Sequence, residues 1–190
     1  MHITVCGAGT LGAHIVEHLC RQGGDQVRVI DFDRVESVNL VNQPYLRHQV
    51  GLPKTRALEE VVIRSTGRGI ESVQKRLSTE NAARLLAGSD LVIDAFDNGE
   101  ARNAVRGACL HAGQPCLHAG LHPSGYAEVV WTERYTVPRA DGEDACALRQ
   151  ARALSLLVVA VCARAIEVWR ENGERLSFSV TARDLRVEPF

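Results

Sequence analysis

The chain has 190 residues, 45% of them hydrophobic, and a formal net charge of −1, so one domain over residues 1–190 with one good core is expected. The near-neutral charge offers no basic footprint for nucleic acid or a membrane surface, and the most apolar stretch, residues 153–163 between Arg152 and Arg164, is too short to cross a bilayer. An apolar strand beginning at residue 2 leaves no room for a targeting segment, which sets the expected location as cytoplasmic.

The first thirty-three residues organise the rest of the chain. Ile3, Val5 and Cys6 form a short uncharged run, as a strand buried on both faces requires. The turn Gly7-Ala8-Gly9-Thr10-Leu11-Gly12 comes next. Leu11, Ile15, Val16, Leu19 and Cys20 then recur at helical spacing up to the stop at Gly23-Gly24. Val27, Val29 and Ile30 make a second strand that ends in Asp31-Phe32-Asp33. Strand, glycine turn, helix, strand and terminal acid is the nucleotide-binding unit of a doubly wound fold. Gly9 lets backbone approach a phosphate, Gly12 allows close helix–strand packing, the helix start offers N–H groups to an anion, and Asp31 stands where an acid accepts ribose hydroxyls. NAD enzymes and some ATP enzymes share this unit, which leaves the nucleotide open.

Residues 34–44 are polar and end in Pro44, reading as loop or short irregular helix. Pro53 suits the first turn of a helix with an apolar stripe of Ala57, Leu58, Val61 and Val62. A short strand is predicted at 70–73, then a helix through Ala82, Ala83, Leu85 and Leu86, capped by Ser78-Thr79 and stopped at Gly88. Leu91, Val92 and Ile93 are a buried strand closed by residues 94–98, and the next helix carries Ala101, Ala104, Val105, Ala108 and Cys109 on one face, Arg102 and Arg106 elsewhere. Strands at 115–119 and 125–132 are separated by a short turn, so the sheet should turn antiparallel there. Residues 133–146 read as an exposed loop, 147–170 as a long buried helix, and 176–180 with 185–187 as a terminal hairpin. The expected class is α/β, a Rossmann-like doubly wound sheet that is mostly parallel with antiparallel C-terminal strands.

Cys6, Cys20, Cys109, Cys116 and Cys162 fall at apolar positions inside these elements, where cysteine acts as a small hydrophobe. The chain has no C-x-x-C pair, so no zinc is expected. His118 and His122 lie in a strand–turn context that does not converge their rings on a metal.

Four groups fall on the carboxyl edge of the sheet: Asp31 with Asp33, Asn39 with Gln43, Lys54, and Asp94-x-x-Asp97-Asn98-x-x-x-Arg102. A nicotinamide cofactor has little use for a further lysine and strand-end carboxylates. A nucleoside triphosphate does: Lys54 can neutralise phosphate charge, and Asp97 or Asp94 can hold Mg²⁺.

On the ordered set Gly7-Ala8-Gly9-Thr10-Leu11-Gly12, Asp31-Phe32-Asp33-x-Val35, Asn39-Leu40-x-x-Gln43, Gly51-x-x-Lys54 and Asp97-Asn98-x-x-x-Arg102, the chain resembles the ThiF/MoeB/HesA family, which includes the catalytic domains of ubiquitin-activating enzymes. The resemblance implies adenylation of the C-terminal carboxylate of a small ubiquitin-like or sulfur-carrier protein ending in Gly-Gly, with ATP and Mg²⁺. It implies nucleotide contacts from Gly7, Gly9, Thr10, Leu11, Gly12, Asp31, Asp33, Asn39, Gln43, Lys54 and Asp97. It implies that Asn39, Lys54 and Asp97 carry the catalytic work, with Asp97 matching the family's magnesium-binding aspartate. Asn42 stands where the family usually has a phosphate-contacting arginine, for which Arg47 is the candidate substitute. With the family's N-terminal helix, zinc cysteines and appended domains also missing from the sequence, the expectation is a minimal member, a homodimer or one completed by a partner chain. Cys146 falls where some members carry an acceptor cysteine and is a candidate acyl or sulfur acceptor. A non-catalytic scaffold and an NAD-dependent oxidoreductase remain the alternatives.

Overall fold

The structure is a computed structural model that describes residues 1–122, 124–138, 151–184 and 186–190. Its centre is one eight-stranded sheet in the order β3-β2-β1-β4-β5-β6-β7-β8. The strands are β1 (His2–Cys6), β2 (Gln26–Ile30), β3 (Glu71–Val73), β4 (Leu91–Asp94), β5 (Cys116–His122), β6 (Tyr126–Trp131), β7 (Phe178–Thr181) and β8 (Arg186–Pro189). The first five run parallel, and β6, β7 and β8 join them antiparallel. This is the mostly parallel, doubly wound sheet with an antiparallel end that the sequence pattern predicts.

The helices are α1 (Thr10–Gln22), α2 (Lys54–Thr66), α3 (Ala82–Leu86), α4 (Gly99–Ala112) and α5 (Ala151–Asn172). Strand residues alternate between two cores. Ile3, Val5, Val29, Ile93 and Leu117 turn to one face, where Leu11, Ile15 and Leu19 of α1, Leu58 of α2, and Val158 and Ile166 of α5 cover them. Cys6, Ile30, Val92 and Cys116 turn to the other, under Leu85 and Leu86 of α3 and Ala104, Val105 and Cys109 of α4. A strand covered on both faces is largely apolar on both, as β1 and β4 are; the buried Thr4 of β1 is bonded to Ser89 and the buried Asp94 that ends β4 to His118. The chain leaves β1 toward β2 and later returns on the other side of β1 as β4. The carboxyl ends of β1 and β4 therefore flank a topological switch point, where open α/β sheets bind ligands.

Local differences from the expectation have physical causes. Ser78 does not cap α3: its hydroxyl bonds Glu80, its carbonyl accepts from Asn81 and Ala82, and Asn81 takes the cap position. Tyr135 lies in the stretch expected to be an exposed loop but is buried, stacked 3.9 Å from the ring of His118. Arg102, which the sequence places off the apolar face of α4, is also buried. Residues 147–150, expected as the first turn of the last helix, lie outside the described residues. The cysteines at 6, 20, 109, 116 and 162 are buried and free. Among the described residues no helix is long and apolar enough to cross a membrane.

Candidate active site

The glycine turn is held from three sides. Gly7 adopts φ +97°, open only to glycine without strain, and a Cβ there would stand 3.0 Å from the Ala95 carbonyl oxygen. At Gly12 a Cβ would fall 1.9 Å from the Gly7 carbonyl oxygen, so helix α1 presses directly on the turn. Gly9 differs: among the described residues a Cβ there would meet nothing within 4 Å. Gly9 is also the N-cap of α1, without a side-chain cap and with no acid in the first turn. Helix α4, by contrast, is capped by Asn98, whose Oδ1 accepts from the Ala101 amide at 2.9 Å. The start of α1 thus presents backbone donors and the positive end of its dipole to an open space, an anion-binding arrangement. Thr10 and Leu11 are buried in that first turn.

Asp31 directly follows β2, beneath the turn. Its Oδ2 accepts from the Ala8 amide at 2.6 Å and its Oδ1 from the Asp33 amide at 2.7 Å. Burial pushes its carboxyl above the usual carboxylate range, against the pull of those two amides and of Lys54. Lys54, in the first turn of α2, is buried along its stem and reaches Asp33 Oδ2 at 3.1 Å, while its amide bonds the Asp33 carbonyl. The cation therefore stands beside the glycine turn with one half-exposed carboxylate as partner.

Asn39 and Gln43 come from the segment between β2 and α2. A short 3-10 turn, Ser37–Val41, is closed by a capping box in which Asn39 Oδ1 accepts from the Glu36 amide at 2.8 Å. The side-chain Nδ2 of Asn39 has no partner among the described residues, while its backbone amide donates to the Glu36 carbonyl. Gln43 is buried, and its Oε1 has no hydrogen-bond partner among the described residues. Tyr45 ties this segment to the glycine turn: its hydroxyl donates to the Ala8 carbonyl at 2.6 Å. Gln49 fixes the segment to α2, accepting from the Leu46 amide and donating to the Ala57 carbonyl and Glu60. Arg47 is exposed on the turn that Gln49 closes.

Asp97 is exposed on the loop between β4 and α4, two residues beyond Ala95, whose carbonyl packs on Gly7. Asp94, weighed beside it as a magnesium ligand, is wholly buried. Its Oδ2 pairs with His118 Nδ1 at 2.8 Å and its Oδ1 accepts from the Phe96 amide. His118 Nε2 in turn bonds Thr132 Oγ1 at 2.8 Å. Arg102 completes this buried layer, donating to the Tyr135 hydroxyl at 2.6 Å and to the Ala119 carbonyl at 3.0 Å. These bonds brace the strand ends on which the Asp97 loop rests.

The turn of residues 7–12, Asp31, Asp33 and Lys54 are thus joined by direct contacts, and Asp97 and the segment bearing Asn39 and Gln43 are attached to that turn. Cys146 lies outside the described residues. Sequence reasoning missed Tyr45, Gln49, Tyr135 and the Asp94–His118–Thr132 chain. An aromatic directly after Pro44 in a polar segment was a signal for Tyr45; nothing in the spacing of the others reveals their partners.

The model of the ThiF family matches residues 1–168. The chain is 33% identical over 127 residues to the SAMP-activating enzyme E1 of Haloferax volcanii, covering 63% of this chain and 45% of that protein. It is 28% identical over 201 residues to the molybdopterin-synthase adenylyltransferase of Salmonella typhimurium, covering 99% and 80%. Among solved structures, E. coli MccB with MccA-N7isoASN superposes with a TM-score of 0.81 at 16% identity, over all of this chain and 64% of that one, a likeness of fold. The chain spans less than half the length of the Haloferax relative. With the family model covering the chain from residue 1 to residue 168, this protein belongs to the ThiF family.

Proposed function

We propose that this chain is an ATP-dependent adenylyltransferase that activates the C-terminal carboxylate of a small ubiquitin-like or sulfur-carrier protein ending in Gly-Gly. The observation that carries the reading is the uncapped start of α1, with open space at Gly9 beside the buried Lys54 cation. The relatives named adenylyltransferase and activating enzyme support it.

In this reading the α1 amides and Lys54 hold the phosphates, and Asn39 Nδ2 donates to them. Gln43 Oε1, buried and without a partner among the described residues, accepts from the nucleotide, and Asp31 accepts from a ribose hydroxyl while holding the turn in place. Asp97 is an exposed carboxylate at the edge of the space, and the described residues include no cluster of three or more His, Cys, Asp or Glu placed to hold a metal ion. That fits Mg²⁺, which needs only one or two carboxylates when phosphates complete its shell. An oxygen of the partner's carboxylate attacks the α-phosphorus, the bond to the bridging oxygen breaks, and pyrophosphate leaves with the electron pair. The nucleophile is already ionised at neutral pH, so no general base is required. The work of these side chains is positioning and neutralising phosphate charge.

The reading places the protein in the cytoplasm, as a homodimer or with a completing partner chain. Val38 and Val41, three apart on a 3-10 turn and both well exposed, support a covered face beside the site. Asn42 in place of the family's arginine favours a second reading, a scaffold that binds nucleotide without turnover. Titration with Mg²⁺-ATP and separately with NAD, followed by pyrophosphate release with a Gly-Gly-ended carrier, decides among them. The adenylyltransferase requires ATP binding that Lys54→Ala abolishes and carrier-dependent release. ATP binding without release supports the scaffold, and NAD binding alone returns the chain to oxidoreductases.

A further inference from the structure

Helix α1 carries two histidines that the nucleotide site does not use. The run His14-Ile15-Val16-Glu17-His18 places two imidazoles four residues apart, on one face of the helix and one turn from each other. Helical zinc motifs use this spacing to bring two ring nitrogens to one ion, and H-x-x-E-H is one of their orders. The stripe continues to Gln22, whose side chain donates to Glu167 of α5 at 3.3 Å. It therefore runs along the side of α1 that meets α5. His14 is buried there and His18 half-buried.

What the rings bond sets their chemistry. His14 Nδ1 lies 2.8 Å from the Thr10 carbonyl oxygen. A carbonyl only accepts, so Nδ1 carries the proton. Burial holds the His14 pKa below the usual imidazole value against the pull of that carbonyl, while Arg152 acts with burial and Glu17 against it. The neutral ring then bears its lone pair on Nε2, which no group among the described residues bonds. A backbone carbonyl on one ring nitrogen is the arrangement that orients a metal-binding histidine. His18 adds a second, independent sign: its Nε2 is shielded from solvent and has no hydrogen-bond partner among the described residues. A buried ring nitrogen left unpaired costs free energy whether it is a donor or an acceptor, and a bound ion removes that cost. Glu17, the acid between the two rings, is committed to Arg21 at 2.7 Å and is not free to act as a base.

We propose that His14 and His18 form a binding site for a divalent late transition-metal ion of the Zn²⁺ type, held by the two Nε2 atoms with water at its remaining positions. Imidazole nitrogen selects this class over Mg²⁺, which takes oxygen ligands. The described residues bring no third His, Cys, Asp or Glu to the pair, so the site is a clamp on one helix rather than a closed structural centre or a hydrolytic one. It does not depend on the adenylyltransferase reading. Its place gives it a consequence for the fold: His14 holds the carbonyl of Thr10, the first residue of α1, and an ion shared with His18 ties that first turn to the next. Binding to the folded chain alone stabilises it.

The test uses the full chain, stripped of metal with EDTA and dialysed. Calorimetry with Zn²⁺, electron paramagnetic resonance with Cu²⁺ and thermal unfolding are recorded for the parent, His14→Gln, His18→Gln and a His122→Ala control. The parent should bind one ion, show coupling of Cu²⁺ to two imidazole nitrogens, and gain several degrees of Tm with Zn²⁺, while excess Mg²⁺ displaces nothing. Either Gln variant should weaken Zn²⁺ binding by about tenfold or more and lose the coupling to one nitrogen, and His122→Ala should change neither. His18 is half-buried, so His18→Gln decides the matter even where His14→Gln does not fold. Absence of Zn²⁺ binding in the parent, binding of parental strength in His18→Gln, or dependence on His122 overturns the proposal. In EDTA the parent and His18→Gln should melt within about 2 °C of each other. A deficit in EDTA as large as that in Zn²⁺ assigns His18 to packing alone and also overturns it.

Discussion

Gly9→Ala separates nucleotide binding from folding. The residue has φ −79°, which an alanine adopts, and the added methyl meets no atom of the described residues within 4 Å. Leu11, Ile15 and Leu19 of α1 keep their packing. The stability change should stay within about 0.5 kcal/mol, or about 2 °C in Tm for a chain of this size. The methyl nevertheless stands where a phosphate must come to reach the α1 amides. Losing one charge-assisted hydrogen bond of about 1.5–3 kcal/mol lowers ATP affinity by roughly 10- to 150-fold. Gly12→Ala is the contrasting perturbation. Its Cβ falls 1.9 Å from the Gly7 carbonyl oxygen, and reaching even 3.0 Å requires the turn or the helix to move by more than 1 Å. Both are backbone in a packed core, so about 1–3 kcal/mol of stability and several degrees of Tm should be lost together with binding. Thermal unfolding and calorimetric titration with Mg²⁺-ATP measure both quantities for both variants. ATP binding of parental strength in Gly9→Ala would refute the phosphate placement. A Tm loss in Gly9→Ala equal to that in Gly12→Ala would refute the claim that the space is kept for a ligand.

Asp97→Ala should leave Tm within about 2 °C of the parent, because the side chain is exposed, while Mg²⁺-dependent ATP turnover is abolished; full activity in a pyrophosphate assay would remove Asp97 from the metal-phosphate site. Tyr45→Phe deletes the 2.6 Å bond to the buried Ala8 carbonyl and should cost about 1–2 kcal/mol in urea denaturation. His118→Leu leaves the Asp94 carboxylate buried without its imidazole donor, and a loss of about 3–5 kcal/mol is expected from thermal unfolding. For Asp31→Asn the sign comes from burial, which raises the folded pKa of Asp31 above its unfolded value. The contribution of Asp31 is full below the unfolded value of about 3.9 and is lost as the pH rises through the folded value, so the variant's deficit should shrink from acid to neutral pH; a deficit that grows would reverse the assignment.

The parts of the fold legible in the sequence are those whose signal is local. The strands covered on both faces show as short, mostly apolar runs, and the glycine turn declares itself because Gly7 and Gly12 are required by a positive φ and by a 1.9 Å approach. The antiparallel end followed from the short turn after His122. The cap of α3 was misplaced because Ser78, Thr79 and Asn81 are all competent N-cap residues, and the choice fell to a Glu80 carboxylate that takes the Ser78 hydroxyl. Residue type alone does not rank such competitors.

The site divides along the same line. Asp31, Asp33 and Lys54 could be placed on one edge from strand-end and helix-start positions, and they are in contact. What could not be read is how polar groups far apart in the chain satisfy one another. His118 joins Asp94 across 24 positions and Thr132 across 14, and Tyr135 closes on Arg102 across 33. No periodicity encodes such pairings; they arise because parallel and antiparallel strands bring their ends to a common level at the edge of β4. That layer fixes the backbone from which Asp97 projects, and Asp97 and Asn98 divide the labour there. Asn98 spends its side chain capping α4, which leaves the residue before it exposed at the mouth of the site. The pair belongs together in the motif for that reason: one residue ends the loop, and the other is thereby presented to whatever binds.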